Sequence, residues 1–92
     1  MEIRGLRPEL HKVLVVGCMA PMPPCTAVIK YRDAHGDVTE REVEPYEVKD
    51  GKLWAHCRKA GSLRQFKLTE ILEARVGQPF DPKPGVKIRV PT

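Results

Sequence analysis

Residues 38–58 read VTEREVEPYEVKDGKLWAHCR, and two extended segments joined by a tight turn account for the whole stretch. Downstream of Gly51, Leu53, Ala55 and Cys57 alternate with Trp54 and His56. That is the two-residue period of a strand with one face turned to a core. Asp50-Gly51 is the pair that a type I′ hairpin turn prefers, because both central residues take positive φ. Upstream, Val38–Lys49 is a long, strongly charged strand. Pro45 has no backbone donor, so this strand lies at an edge or carries a bulge there.

The same pattern extends in both directions. Thr26–Arg32 forms a strand with Ala27, Ile29 and Tyr31 on one face, and Asp33-Ala34-His35-Gly36-Asp37 is turn chemistry. After the turn Lys59-Ala60-Gly61-Ser62, Leu63–Leu68 is a fourth strand with Phe66 and Leu68 inward. Thr69–Leu72 suits a single helical turn capped by Thr69, and Glu73–Val76 a short fifth strand. Connections this short imply antiparallel neighbours. The fold class is mainly β, and five short strands around a small core predict a compact, strongly bent barrel, since closure removes exposed edges. Its predicted core is Ile29, Val43, Leu53, Ala55, Phe66, Leu68 and Ile71.

The flanks are less regular. Leu10, Val13, Leu14 and Gly17 fall at helical spacing after Pro8, yet Val13–Val16 is equally good strand material, so residues 1–25 are a helical or extended lead-in. It ends in the proline-rich connector Ala20–Pro24. Residues 26–80 hold the barrel. Residues 81–92 continue a second proline-rich connector into Val86–Val90, whose alternation suits a sixth strand or an arm that pairs with a partner.

A chain of 92 residues is expected to be one domain. A core this small is marginal alone, and oligomerisation would help it. No apolar run approaches the roughly 20 residues that span a bilayer, and Met1–Gly5 is no signal peptide, so a cytoplasmic protein without a membrane partner is expected. Charge is uneven: residues 1–48 carry six basic and eight acidic side chains, residues 49–92 ten basic and four acidic. A basic half suits a phosphate-bearing partner. Cys18, Cys25 and Cys57 are odd in number and lack paired ligand spacing, so neither a disulfide framework, a metal nor any other cofactor is expected. No nucleophile has a placed base, so no enzyme is expected.

Two arginines stand out. Arg41 precedes Val43 by two residues and Arg64 precedes Phe66 by two, so both project from core-facing rows. A guanidinium stays charged and brings five donors. Either each pairs with an acid, Glu40, Glu42, Glu44 or Glu70, or each lies at the barrel mouth and offers its fork to an anion.

Ile29-x-Tyr31, Gly36, then Thr39-x-Arg41-x-Val43-x-Pro45-Tyr46 resembles the first half of the WYL domain. Gly51-Lys52-Leu53-Trp54-Ala55-His56-Cys57-Arg58, then Gly61-x-Leu63-Arg64-x-Phe66-x-Leu68-x-x-Ile71, resembles its second half. The resemblance implies a small Sm-like five-stranded antiparallel barrel of a kind found in bacterial transcription regulators and defence-associated proteins. There it serves ligand sensing or nucleic-acid binding rather than catalysis. The family's basic pocket positions fall on Arg41 and Arg64, with Arg58 beside them, and the candidate ligand-binding set is Arg41, Arg58, Arg64, His56 and Lys67. The Trp-Tyr-Leu triplet lines up with Gly51, Lys52 and Leu53, and one basic family position lines up with Glu70. With 25 residues ahead of the barrel, no helix-turn-helix is expected and promoter reading by this chain alone is not.

The leading expectation is a regulatory module for single-stranded nucleic acid or a nucleotide. The alternative is a protein-interaction adaptor that dimerises as a homodimer, or docks on a protein partner, through Val86–Val90 at its sheet edge.

Overall fold

The computed structural model describes residues 6–91; the N-terminal pentapeptide lies outside them. An α-helical turn at Pro8–Leu10 runs into a wider π-type helix at His11–Met19. Of the two readings open for this stretch, helix is the one adopted. It buries Leu10, Leu14, Val15, Cys18 and Met19, and Arg7 at its start donates to the Ile71 carbonyl.

Five strands follow: β1 (Cys25–Arg32), β2 (Val38–Lys49), β3 (Lys52–Cys57), β4 (Ser62–Lys67) and β5 (Ile71–Pro79), with a 3-10 turn at Leu68–Glu70 before β5. They form one antiparallel sheet in the order β4-β3-β2-β1-β5. The turns are built as their residues require. Asp50 and Gly51 take φ of 54° and 74°, as a type I′ hairpin demands. Asp33 Oδ1 accepts from the amides of His35 and Asp37. Pro45 sits in a central strand, and the ladder is irregular there, between Pro45 and Glu47.

Ile29, Val43, Leu53, Ala55, Phe66, Leu68 and Ile71 are all buried, as their alternation predicts. The helix packs on this same face and completes the core. The expected closed barrel is corrected in one respect. Among the described residues β4 and β5 do not pair and remain the two edges of the sheet. The chain passes from β4 to β5 in the three-residue 3-10 turn, and β5 spends its pairing on β1, with two register shifts. The sheet nevertheless curls: the Lys67 amide on β4 donates to Tyr31 Oη on β1 at 3.1 Å. Strands three places apart in a flat sheet would be separated by about 14 Å.

Val86–Val90 forms no sixth strand. It contributes a single parallel bridge, Glu47 to Arg89, with the Arg89 amide donating to the Tyr46 carbonyl at 2.7 Å. Pro84 and Gly85 make a turn on the approach to it, closed by the Val86 amide donating to the Lys83 carbonyl at 3.1 Å. Among the described residues no helix is long and apolar enough to cross a membrane.

Candidate functional site

The cross-strand register settles which face each candidate occupies. Arg41 lies opposite Ile29 and Arg64 opposite Ala55, both partners fully buried. Both arginines therefore project from the inner, core-facing side of the curled sheet. Arg41 is half-buried, with its guanidinium carbon 6.0 Å from the ring centroids of both Tyr31 and Phe66. That is the outer limit of a cation–π contact. Arg64 is exposed one inner-row position from Phe66. Each holds its Nε on a hydroxyl two residues earlier, Arg41 on Thr39 at 3.1 Å and Arg64 on Ser62 at 3.3 Å.

All four acids that could have neutralised them are engaged elsewhere. Glu40 meets Arg75 at 3.3 Å. Glu42 accepts from Thr26 and Gln78 and faces Arg58. Glu44 meets Arg58 at 3.3 Å. Glu70 meets Arg32 at 2.9 Å, and that hydrogen bond holds its carboxyl below the usual carboxylate range. Among the described residues neither Arg41 nor Arg64 has a carboxylate within ion-pair distance.

His56, Arg58 and Lys67 are not brought together with that pair. By strand alternation His56 and Lys67 occupy the opposite, outer face, where Lys67 is exposed opposite Lys52. Arg58 follows β3 and is drawn to the carboxylates of Glu42 and Glu44. His56 Nδ1 is shielded from solvent, lacks a hydrogen-bond partner and lies 3.9 Å from Glu44 Oε1. Glu44 is itself buried and also accepts from Tyr46 Oη at 3.2 Å. The C-terminal segment covers this cluster. The Phe80 ring stands edge-on to Tyr46 at 6.1 Å, and the Lys83 amide donates to Tyr46 Oη. Burial pushes the Tyr46 phenol up.

A shallow cavity of about 280 Å³ opens beside Arg41, lined by Thr39, Glu40, Arg41, Cys57, Lys59 and Ala60. Lys59 is a site residue that strand reasoning passed over. It lies in a turn, where alternation carries no information about facing. Among the described residues no group of three or more His, Cys, Asp or Glu side chains is arranged to hold a metal ion.

Comparison with protein families matches the WYL domain at residues 25–76. The matched span begins at the first residue of β1 and ends within β5, so it takes in both arginine-bearing strands. No curated protein and no solved structure matches the chain. WYL domains are in general regulatory, non-catalytic modules that sense ligands or nucleic acid. Because the match spans more than half of the sequence and follows the sheet strand by strand, the chain belongs to the WYL domain family.

Proposed function

We propose that this WYL domain binds single-stranded nucleic acid or a nucleotide-like anion through Arg41 and Arg64, with Lys59 adding positive charge beside Arg41. One observation carries the reading: two arginines stand on core-facing rows while every acid expected to neutralise them is paired with another cation. A guanidinium fork in that setting gains most from an external phosphate or carboxylate, which it meets bidentately. The Tyr31 and Phe66 rings beside Arg41 give the inner face an apolar floor next to the charge. Arg58 is assigned instead to holding the buried Glu44, with His56 packed beside that carboxylate.

Short single-stranded DNA or RNA is the probe. Binding should weaken with salt, with a logarithmic slope of roughly −0.7 for each phosphate neutralised. Arg64→Ala should cost about 1.5–3 kcal/mol of binding, the range for hydrogen bonds to charged groups, and leave the melting temperature unchanged. No measurable affinity at low salt, or an Arg64→Ala variant that loses stability and keeps its affinity, would overturn the reading.

A further inference from the structure

β5 is a nine-residue edge strand, and among the described residues no strand covers its outer side. Natural proteins blunt such edges with prolines, bulges or inward-pointing charges. In β5 the proline, Pro79, comes last, and the register shifts lie towards its two ends, opposite Lys30/Tyr31 and Cys25/Ala27. Between them Glu73–Val76 runs in unbroken register against Lys30–Ala27. Leu72 and Val76, at either side of this segment, are 39% and 45% exposed.

The segment Leu72-Glu73-Ala74-Arg75-Val76 reads apolar, acid, small, base, apolar, so the same segment laid against it in reverse sets base against acid, small against small and apolar against apolar. We propose that β5 pairs antiparallel with β5 of a second copy of this chain, about a twofold axis through Ala74. Such an interface is isologous, so every contact occurs twice. Ala74 then faces the partner's Ala74 and Glu73 faces the partner's Arg75, while Leu72, at the register shift, adds apolar surface at the end of the pairing beside the partner's Val76. Neighbouring registers are worse. An axis through Glu73 sets two carboxylates opposite each other, and one through Arg75 sets two guanidinium groups opposite each other. Like charges directly opposite destabilise a ladder.

The ladder already in the sheet leads to the same register. Glu40 lies opposite Lys30, and Lys30 opposite Glu73, with Lys30 Nζ 2.8 Å from the Glu73 carboxylate. Adding the partner's Arg75 continues the alternation of sign along that row. Small domains are short of buried surface, and this pairing joins two five-stranded sheets while removing the open β5 edge from each. Arg41 lies on the central strand β2 and Arg64 on β4 at the opposite edge, so neither belongs to the β5 interface. Arg75, which also meets Glu40 on β2, is shared between that carboxylate and the partner's Glu73, and sedimentation without nucleic acid tests the pairing apart from the anion-binding reading.

Sedimentation of the purified full chain over a range of concentrations reads the association directly. The parent chain should show a monomer–dimer equilibrium. Glu73→Arg and Arg75→Glu each place like charges at both symmetry-related positions, and each should weaken dimerisation at least tenfold while the thermal melt stays cooperative. An equimolar mixture of the two variants should recover the dimer, because the heterodimer again sets opposite charges face to face at both positions. Residues facing each other across an antiparallel ladder have Cα atoms about 4.5–5.5 Å apart, within disulfide reach. Ala74→Cys in a Cys25→Ser background should therefore cross-link to a covalent dimer under mild oxidation. A parent chain that stays monomeric, a dimer that survives both reversals, a mixture that fails to recover it, or an Ala74→Cys chain that does not cross-link would each overturn the proposal.

Discussion

The Tyr31 ring stands edge-on to Phe66, with centroids 5.0 Å apart and planes at 85°, although β2 and β3 separate their strands in the sheet. The pair joins the two sides of the curl across its interior. Phe66 is buried, so Phe66→Ala removes both the aromatic pair and core volume. It should cost about 3–5 kcal/mol in denaturant unfolding. Tyr31→Phe keeps the ring and deletes only the acceptor for the Lys67 amide. That variant should lose about 0.5–1.5 kcal/mol. Equal losses from the two would mean that the hydrogen bond, not the ring pair, holds the curl.

Arg58 and Arg64 should separate cleanly when mutated. Arg58 meets the buried Glu44, so Arg58→Ala leaves a shielded carboxylate short of a donor. It should destabilise the fold by about 1–3 kcal/mol. Adding Glu44→Gln to Arg58→Ala should recover part of that loss, because the stranded charge is gone. Arg64→Ala should leave the unfolding midpoint where it was. Urea melts of the four chains check this.

Stability should fall in alkali. Burial, with a smaller contribution from Cys25, pushes the Cys18 thiol up from 9.0 to about 12. The folded state therefore holds this proton where the unfolded chain releases it. The stabilisation is fully present below pH 9 and is lost as pH rises from 9 towards about 12. One such proton contributes a slope of up to about 1.4 kcal/mol per pH unit. Tyr46, also raised by burial, adds to the same trend. Cys18→Ala should flatten the slope of unfolding free energy against pH in that window, and an unchanged slope would show that the thiol is not its source.

Gly77 allows β5 to approach β1 more closely than any side chain would permit. A Cβ there would collide with Thr26 Oγ1, the hydroxyl that donates to Glu42 and accepts from the Gln78 amide. Gly77→Ala should cost about 1–3 kcal/mol, as overpacking does. Gly17→Ala, whose added methyl would come 2.6 Å from Val76 Cγ2, should cost less. A side-chain methyl can turn aside and the buried Thr26 cluster cannot. Paired thermal melts rank the two.

How much was legible in the sequence differs from element to element, for a physical reason. Strand alternation has a period of two, so it assigned Leu53, Ala55 and Phe66 to the core and Arg41 and Arg64 to the inner rows without any tertiary information. Asp50-Gly51 specified its turn because few residues tolerate positive φ there. The lead-in stayed open between helix and strand because Val13–Val16 satisfies both periods, and only packing against the core chose the helix. Which acid meets which arginine could not be read, because such pairing joins residues far apart in the chain. Glu70 sits six residues from Arg64 and bonds Arg32, 38 positions away, where the curl of the sheet sets β1 beside the 3-10 turn. The expected barrel closure is not found among the described residues, and the fate of Val86–Val90 stays open in the sequence, for the same reason. Alternation tells a strand which face to bury, while the choice of neighbour depends on edges that only the folded sheet creates.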